Sequence, residues 1–303
     1  KYGLVVQHGT QNRSSPNSAE AIRKLKEGVI GRVYLARGVA YKSRADVGRI
    51  TPDPVPPGLD WDAWLGPAAK VPYSKRRQSS PAGGSWHLLW DYGNGEIGNQ
   101  GVHELDIMRW GLGLDEQPSK VVSMGGNFVH PASEQDSPQV QAMAFEYAGR
   151  DLMMTFETRS GLTNTEAGMG DEYPFLDKKN VVGVIFVGTE GYMIIPDYSS
   201  YHTFLGPKRE KGPSASGAGD IADVPHYENF LEAVRAGDPK RANAGPLDLH
   251  YSSALAHFAN ISQRTGRMVH FDAKKEVFAG DEEATRMLRR EKYRAPYTMP
   301  EKV

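Results

Sequence analysis

Asn99, His103, Asp106 and Trp110 place an amide, an imidazole, a carboxylate and an indole at intervals of four, three and four residues. If the chain is helical from about Ile97, a rotation of about 100° per residue puts these four on one face. Ile97, Gly101, Leu105, Met108 and Leu112 then share the opposite, apolar face. A solvent-facing stripe ordinarily carries Lys and Glu, so this polar set suits a pocket wall. His103 titrates near neutrality and can act as general acid or base. Asn99, one turn earlier, can hydrogen-bond a hydroxyl. Asp106, three residues on, is within reach to orient or charge the imidazole. Spacing alone equally allows a surface helix whose histidine satisfies a local hydrogen bond.

Just upstream, Gly93-Asn94-Gly95-Glu96-Ile97-Gly98 spells G-x-G-x-x-G. Between a strand and a helix, that pattern cradles a dinucleotide pyrophosphate. The flanks do not fit it. Trp86 to Tyr92 is a poor buried strand, broken by His87 and Asp91, and the following strand runs into Gly125-Gly126-Asn127 with no carboxylate for a ribose. The glycines are expected instead to turn the backbone tightly into the helix and let it approach a ligand closely.

Such a helix needs a scaffold. Leu4-Val5-Val6 reads as a short buried strand, followed by a turn-rich loop. Ser18 is expected to cap a helix through about Glu27, with Gly28 as its stop. Residues 32–41 read as a strand. Segment 51–72 holds six prolines, but its Trp61, Trp64 and Leu65 predict an ordered, packing loop. From Lys120 onward strands dominate, at 121–129, 140–147, 152–159, 181–187, 192–195 and 201–205. Their short spacing implies hairpins. Segment 208–220 is rich in Gly, Ser and Pro and is expected to be mobile. Helices over 225–236 and 246–265, a strand at 268–271 and a helix from Asp281 to about Arg290 complete the pattern. The fold class is therefore α+β, a large, mostly antiparallel open sheet with helices on one face.

The bulk numbers exclude several functions. Lys plus Arg number 36 against 37 for Asp plus Glu, so no basic footprint for nucleic acid exists. The runs 75–77 and 286–292 read as solvated surface. Without cysteine, thiolate catalysis and Cys-based metal sites are excluded. His250 and His257 lack a third ligand at useful spacing, so no metal is expected. No apolar run reaches the roughly 20 residues of a membrane span. No signal peptide is visible. The chain opens on Lys1-Tyr2-Gly3 and runs straight into apolar residues, which reads as a cut N-terminus. The compartment stays open between cytoplasm and export to the periplasm.

Several segments, in order, resemble the glucose–fructose oxidoreductase / inositol dehydrogenase (Gfo/Idh/MocA) family. They are Val5-Val6-Gln7-His8-Gly9-Thr10-Gln11-Asn12-Arg13, Gly28-Val29-Ile30-Gly31-Arg32-Val33-Tyr34, Gly58-Leu59-Asp60-Trp61, and Gly98-Asn99-Gln100-Gly101-Val102-His103-Glu104-Leu105-Asp106. Gly188-Thr189-Glu190-Gly191-Tyr192 and His257-Phe258-Ala259-Asn260 extend the match. The resemblance implies an N-terminal Rossmann domain followed by an α/β domain on a large open sheet. It places residues 1–29 as the remnant of the dinucleotide-binding domain, its last strand and helix, and 30–303 as the substrate-binding, catalytic and oligomerisation domain. The family's glycine-rich fingerprint, ribose-binding acid and Glu-Lys-Pro motif are not found; Pro300-Glu301-Lys302 has the wrong order.

The resemblance also implies roles. The family's helix motif pairs an acid with a histidine four residues on, which maps to Asn99 and His103. The histidine is kept, while Asn99 cannot titrate. Asp106 matches the following acid and reads as more structural than catalytic, though within the substrate-binding set. Gln7, Gly9 and Gln11 fall where cofactor contacts gather. Arg13 beside them binds substrate or pairs with a core carboxylate. Lys42 and Arg44 line the pocket or form an exposed edge. Trp64 can stack on nicotinamide, and Trp86 on a sugar face with His87 beside it, or the tryptophans fill core. The implied cofactor is NAD or NADP, and the implied substrate is a sugar, polyol or sugar derivative. Elimination through transient sugar oxidation, as in a glycosidase or lyase, would tolerate Asn99. A cofactor-free carbohydrate-binding or oligomerisation module is the third hypothesis. The open sheet face is expected to form a homo-oligomer.

Overall fold

Val33–Lys42 (β1) puts small and apolar residues on both of its faces, with Ala36, Val39, Ala40 and Tyr41 all buried. A strand covered on both sides belongs in the middle of a sheet, and β1 lies there. The computed structural model describes residues 2–78, 85–161, 180–217 and 223–300. The other strands are Lys120–Gly126 (β2), Val140–Glu146 (β3), Met153–Arg159 (β4), Asn180–Gly188 (β5), Gly191–Ile195 (β6), Tyr201–Leu205 (β7), Glu210–Ala215 (β8), Val269–Asp272 (β9) and Val277–Phe278 (β10). One sheet holds them in the order β10-β9-β2-β3-β4-β1-β5-β6-β7-β8. Neighbours run antiparallel except β1 and β4, which are parallel with Leu35 opposite Met153 and Tyr41 opposite Arg159.

The helices are Pro16–Lys26 (α1), Trp61–Leu65 (α2), Lys75–Gln78 (α3), Glu96–Asn99 (α4), Gly101–Leu112 (α5), Asp223–Ala236 (α6), Pro246–Thr265 (α7) and Glu282–Arg286 (α8). Ala21, Ile22 and Leu25 of α1, Leu105 and Met108 of α5, and Leu255, Phe258 and Ala259 of α7 share one core with the inward side chains of β1 to β7. Gly113 and Gly266, both with positive φ, end α5 and α7, as left-handed caps do. On the other sheet face Val39, Tyr41, Val181, Ile194 and Phe204 form a smaller cluster. Beyond it Val122 and Met124 stay exposed over a shallow depression of 330 Å³.

Some expected elements differ. Leu4 to Val6 is not a strand, and Leu4 is 71% exposed. Three apolar residues cannot make a ladder without a neighbour, and the following backbone bonds elsewhere, His8 N–H donating to the Ala244 carbonyl at 3.1 Å. Helix α1 is capped by Ser15, which accepts from the Ser18 N–H, with Pro16 in the first turn; Ser18 itself donates to Asn12. Helix α8 is shorter than expected and capped by Asp281. Within 208–220, residues 210–215 form the edge strand β8 against β7. Pro213 is tolerated there because an edge leaves one N–H row unpaired; residues 218–220 lie outside the described ones. Segment 51–72 is ordered as expected, with Trp61 stacked on Trp64 at 4.6 Å and edge-on to Tyr73 at 5.1 Å.

Candidate active site

The seat of α5 is set by missing side chains. A Cβ on Gly38 of β1 would stand 2.6 Å from the Phe156 ring, and one on Gly101 would stand 2.9 Å from the same ring. Phe156 therefore fills the space that both glycines leave, and helix and strand close around it. A Cβ on Gly111 would likewise meet Phe186 at 2.4 Å. This packing brings the first turns of α5 to the end of β1, where the charge of Lys42 acts on both His103 and Glu104. The expected single helix from Ile97 is in fact α4 and α5 joined at Gln100.

His103 is half-buried, and its Nδ1 has no hydrogen-bond partner. Its ring centroid lies 5.7 Å from that of Tyr198. Burial depresses its pKa to about 4; Lys42 and His8 push the same way, and Asp106 and Asp223 oppose them. At neutral pH the ring is therefore a neutral imidazole, able to accept a proton. His8 nearby is buried, with Nδ1 3.1 Å from the Thr10 hydroxyl and Nε2 unpartnered.

Asp106 does not orient His103. Its Oδ2 accepts from Arg13 Nε at 2.7 Å, and its Oδ1 accepts from the second Arg13 nitrogen at 3.0 Å and from Ser252 at 2.7 Å. Arg109, buried, donates to Ser252 in turn. Arg13 also contacts Asp248 at 3.2 Å and lies 5.5 Å from the Trp110 ring centroid. Arg13 and Asp106 thus satisfy each other in the interior. Asn99 is exposed, one turn before His103.

Glu104, which spacing did not single out, is fully buried. Its Oε1 accepts from Gln100 Nε2 at 2.8 Å, and the same amide donates to the Tyr198 hydroxyl at 3.0 Å. Its Oε2 has no partner. Burial pushes its pKa up to about 8. The signal was present in the sequence, since Glu104 interrupts the apolar series Ile97, Gly101, Met108. Arg44 forms two bonds, of 2.8 and 2.7 Å, to Glu96, itself buried. His87 lies 4.0 Å from the same carboxylate and edge-on to Trp86. Trp86 is 44% exposed. Trp64 packs among Trp61 and Tyr92, in a cluster of its own.

On the N-terminal side, Gln7 donates to the His226 carbonyl at 2.8 Å. His226 Nε2–H donates to the His8 carbonyl at 2.8 Å, which leaves its Nδ1 to accept from Ser14 at 2.7 Å. Gln11 keeps a buried, unpartnered Oε1, and a Cβ on Gly9 would meet nothing within 4 Å. The glycines of the 93–98 pattern are packed against protein instead. Cβ atoms on Gly93, Gly95 and Gly98 would strike His87, Ser137 and Asn94. Their close approach is to the chain itself and not to a ligand. Among the described residues no group of three His, Asp or Glu could hold a metal, and no helix is long and apolar enough to cross a membrane.

The model of the oxidoreductase family, C-terminal alpha/beta domain (GFO_IDH_MocA_C2), matches residues 29–154 and 220–299. Solved structures share the fold at low identity. Aldose-aldose oxidoreductase from Caulobacter crescentus, complexed with glycerol, is 14% identical over 89% of this chain and 64% of its own, with a TM-score of 0.57. Levoglucosan dehydrogenase, in complex with NADH and levoglucosan, is 15% identical over 88% and 66%, also at 0.57. An oxidoreductase from Agrobacterium radiobacter, in complex with NAD+, L-tartaric acid and magnesium, is 14% identical over 88% and 65%, at 0.54. The chain thus spans a little under two thirds of these proteins' lengths. No curated protein matches it in sequence.

Proposed function

The chain belongs to the Gfo/Idh/MocA oxidoreductase family, and on that premise we propose that the intact protein oxidises or reduces a sugar, polyol or sugar derivative with NAD or NADP. The observation that carries this is His103, a neutral imidazole near the end of β1 whose Nδ1 is buried and unpartnered. In the oxidative direction His103 accepts the substrate hydroxyl proton and passes it to water; in reduction it returns one. Asn99 and Tyr198 flank it as hydrogen-bonding groups. The chemistry that a bound nicotinamide supplies is acceptance or return of a hydride.

Residues 8–11 fit the reactive end of such a cofactor. Gly9 leaves open space, and His8 Nε2 and Gln11 Oε1 are buried polar atoms without partners. Gly93 to Gly98 do not fit its phosphates, being filled by protein neighbours. We place the phosphate-binding half in a dinucleotide-binding domain of which residues 1–29 are the tail, with 30–303 as the substrate domain. Arg13 and Asp106 then act as the brace beneath the site, not as substrate ligands. The exposed sheet face with Val122 and Met124 is the proposed contact between copies.

The test is an assay of the intact protein on glucose, myo-inositol, levoglucosan, glycerol and tartrate with NAD+ and NADP+, following reduced nicotinamide. His103→Ala is expected to lower turnover at least about 100-fold; wild-type turnover in that variant overturns the assignment. Asn99, exposed and unable to titrate, favours one alternative, elimination from a transiently oxidised glycoside. Release of aglycone with no net change in reduced nicotinamide selects it.

A further inference from the structure

Helix α6 stands with its polar side turned inward. At about 100° per residue, Val224, Tyr227, Leu231 and Val234 fall within about 80° of arc. All of them are exposed, Tyr227 at 67%. The opposite side carries His226, Asn229 and the small Ala233, and it rests on residues 11–14 and 239–241. His226 is tied to Gln7, His8 and Ser14, and Asn229 to Arg241 and Asn243. A surface helix ordinarily shows the reverse, with its polar side out. We propose that the outer stripe of α6, together with the extended residues 3–6, is the surface on which the dinucleotide-binding domain of the intact protein seats. This rests on reading residues 1–29 as the tail of that domain.

The match to the C-terminal domain family starts at residue 29. The residues that α6 grips, Gln7, His8 and Ser14, all lie ahead of it. The helix therefore holds the chain where one domain passes into the other. Gly3 to Val6 run extended there, with Leu4 and Val6 exposed, and make no hydrogen bond among the described residues. A backbone left open in this way pairs when a sheet edge comes beside it. The share of the solved relatives that this chain leaves unmatched is enough for a further domain.

A tethered domain reaches this face before a second copy can. Joined through its own chain, it has an effective concentration on the order of millimolar, far above that of a separate molecule. The open sheet face with Val122 and Met124 belongs to other elements and stays available for contact between copies. Tyr227 and Leu231 supply the apolar centre of the seat, and Glu228, Glu232 and Arg235, exposed on one flank, supply a polar rim. Seating α6 also acts on the site. His226 holds the His8 carbonyl at 2.8 Å, so a domain pressed on the outside of the helix fixes, through its inside, the segment 8–11 where the cofactor's reactive end is placed.

Residues 1–303 hold no cysteine, so single cysteines report on this face directly. In the intact protein, Tyr227→Cys and Leu231→Cys should react with a maleimide at least about tenfold more slowly than Lys275→Cys, an open site between β9 and β10. Val224→Cys repeats the reading if either variant melts early. The protection should persist when the protein is diluted to monomer or carries Met124→Glu. A photo-cross-linker anchored on Tyr227→Cys should capture, within the same chain, a peptide that precedes Lys1. Labelling as fast as at Lys275→Cys overturns the proposal. So does protection that disappears on dilution, which gives the face to a second copy, and so does a cross-link confined to residues 1–303. No step needs substrate or nicotinamide. An upstream domain captured at position 227 that binds neither NAD nor NADP overturns the cofactor reading and keeps this one. Nicotinamide binding with position 227 fully open to label does the reverse.

Discussion

Arg13 and Asp106 meet through two parallel hydrogen bonds of 2.7 and 3.0 Å, 93 residues apart in sequence. The pair joins the N-terminal segment to α5, on the helix face that also carries His103. Asp106 has no exposure, so removing the arginine strands a buried charge. Arg13→Ala is expected to cost about 3–5 kcal/mol in urea unfolding. Arg13→Met combined with Asp106→Leu should recover much of that, because the unpaired ion is gone. A loss below about 1 kcal/mol for Arg13→Ala would mean that the pair is no brace.

Glu104 gives stability a measurable dependence on pH. Its folded pKa, about 8, lies above its ordinary 4.5. Between those values the folded chain holds a proton that the unfolded chain has released. The stability this group contributes is full below about 4.5 and is lost as pH rises through about 8, at about 1.4 kcal/mol per pH unit for one proton. Glu104→Gln should remove that slope, and its advantage over wild type should grow from pH 5 to pH 8. Parallel unfolding curves for the two across that range would contradict it.

His103 predicts the opposite slope. Its folded pKa, about 4, lies below its ordinary 6.5, so the unfolded chain binds the extra proton between those values. Its contribution is present above 6.5 and is lost as pH falls toward 4. His103→Asn should flatten the acid limb of the stability profile. If the intact protein has the proposed activity, the step that needs a neutral imidazole should fail only near pH 4, read as the acid limb of kcat/KM.

Gly38 and Gly111 should not tolerate a methyl group. A Cβ at Gly38 meets Phe156 and also lies 3.2 Å from the Met108 sulfur. Gly38→Ala is expected to cost about 1–3 kcal/mol through overpacking. Turnover should fall with it, because the seat of α5 moves. Unchanged melting and unchanged turnover would show that Phe156 has room to yield.

Assembly is the fifth expectation. Met124 is 73% exposed and Val122 39%, on a face that also carries Ala142, Ala144 and Thr155. Light scattering of the intact protein should give a dimer or larger, and Met124→Glu should shift it toward monomer. A wild-type monomer would end the proposal.

What the sequence reveals here follows the range of the forces involved. Strands from 120 to 205 were legible because alternation and turn residues are local. Edge strand β8 was not, because Lys211, Gly212 and Pro213 describe a loop unless β7 is already beside them. The stripe of Asn99, His103 and Asp106 is real as spacing, yet only neighbours decide its use, and Arg13 takes Asp106 from the interior. The choice left open for Arg13 between substrate and core carboxylate could not be made from the chain alone. Glu104 was hidden by its type, since a glutamate on a helix ordinarily marks solvent, whereas its place in an apolar series marked the inside.

The parallel neighbour of β1 has a consequence for the order of assembly. Tyr41 donates a hydrogen bond to Glu157, 116 residues later, and every sheet partner of β1 lies in β4 or β5. At synthesis rates of roughly 5–20 residues per second, on the order of 10 s pass between the emergence of β1 and that of β4. Until then Val39, Ala40 and Tyr41 have no strand beside them. A strand buried on both faces in the finished molecule thus spends its first seconds on the ribosome without a sheet partner.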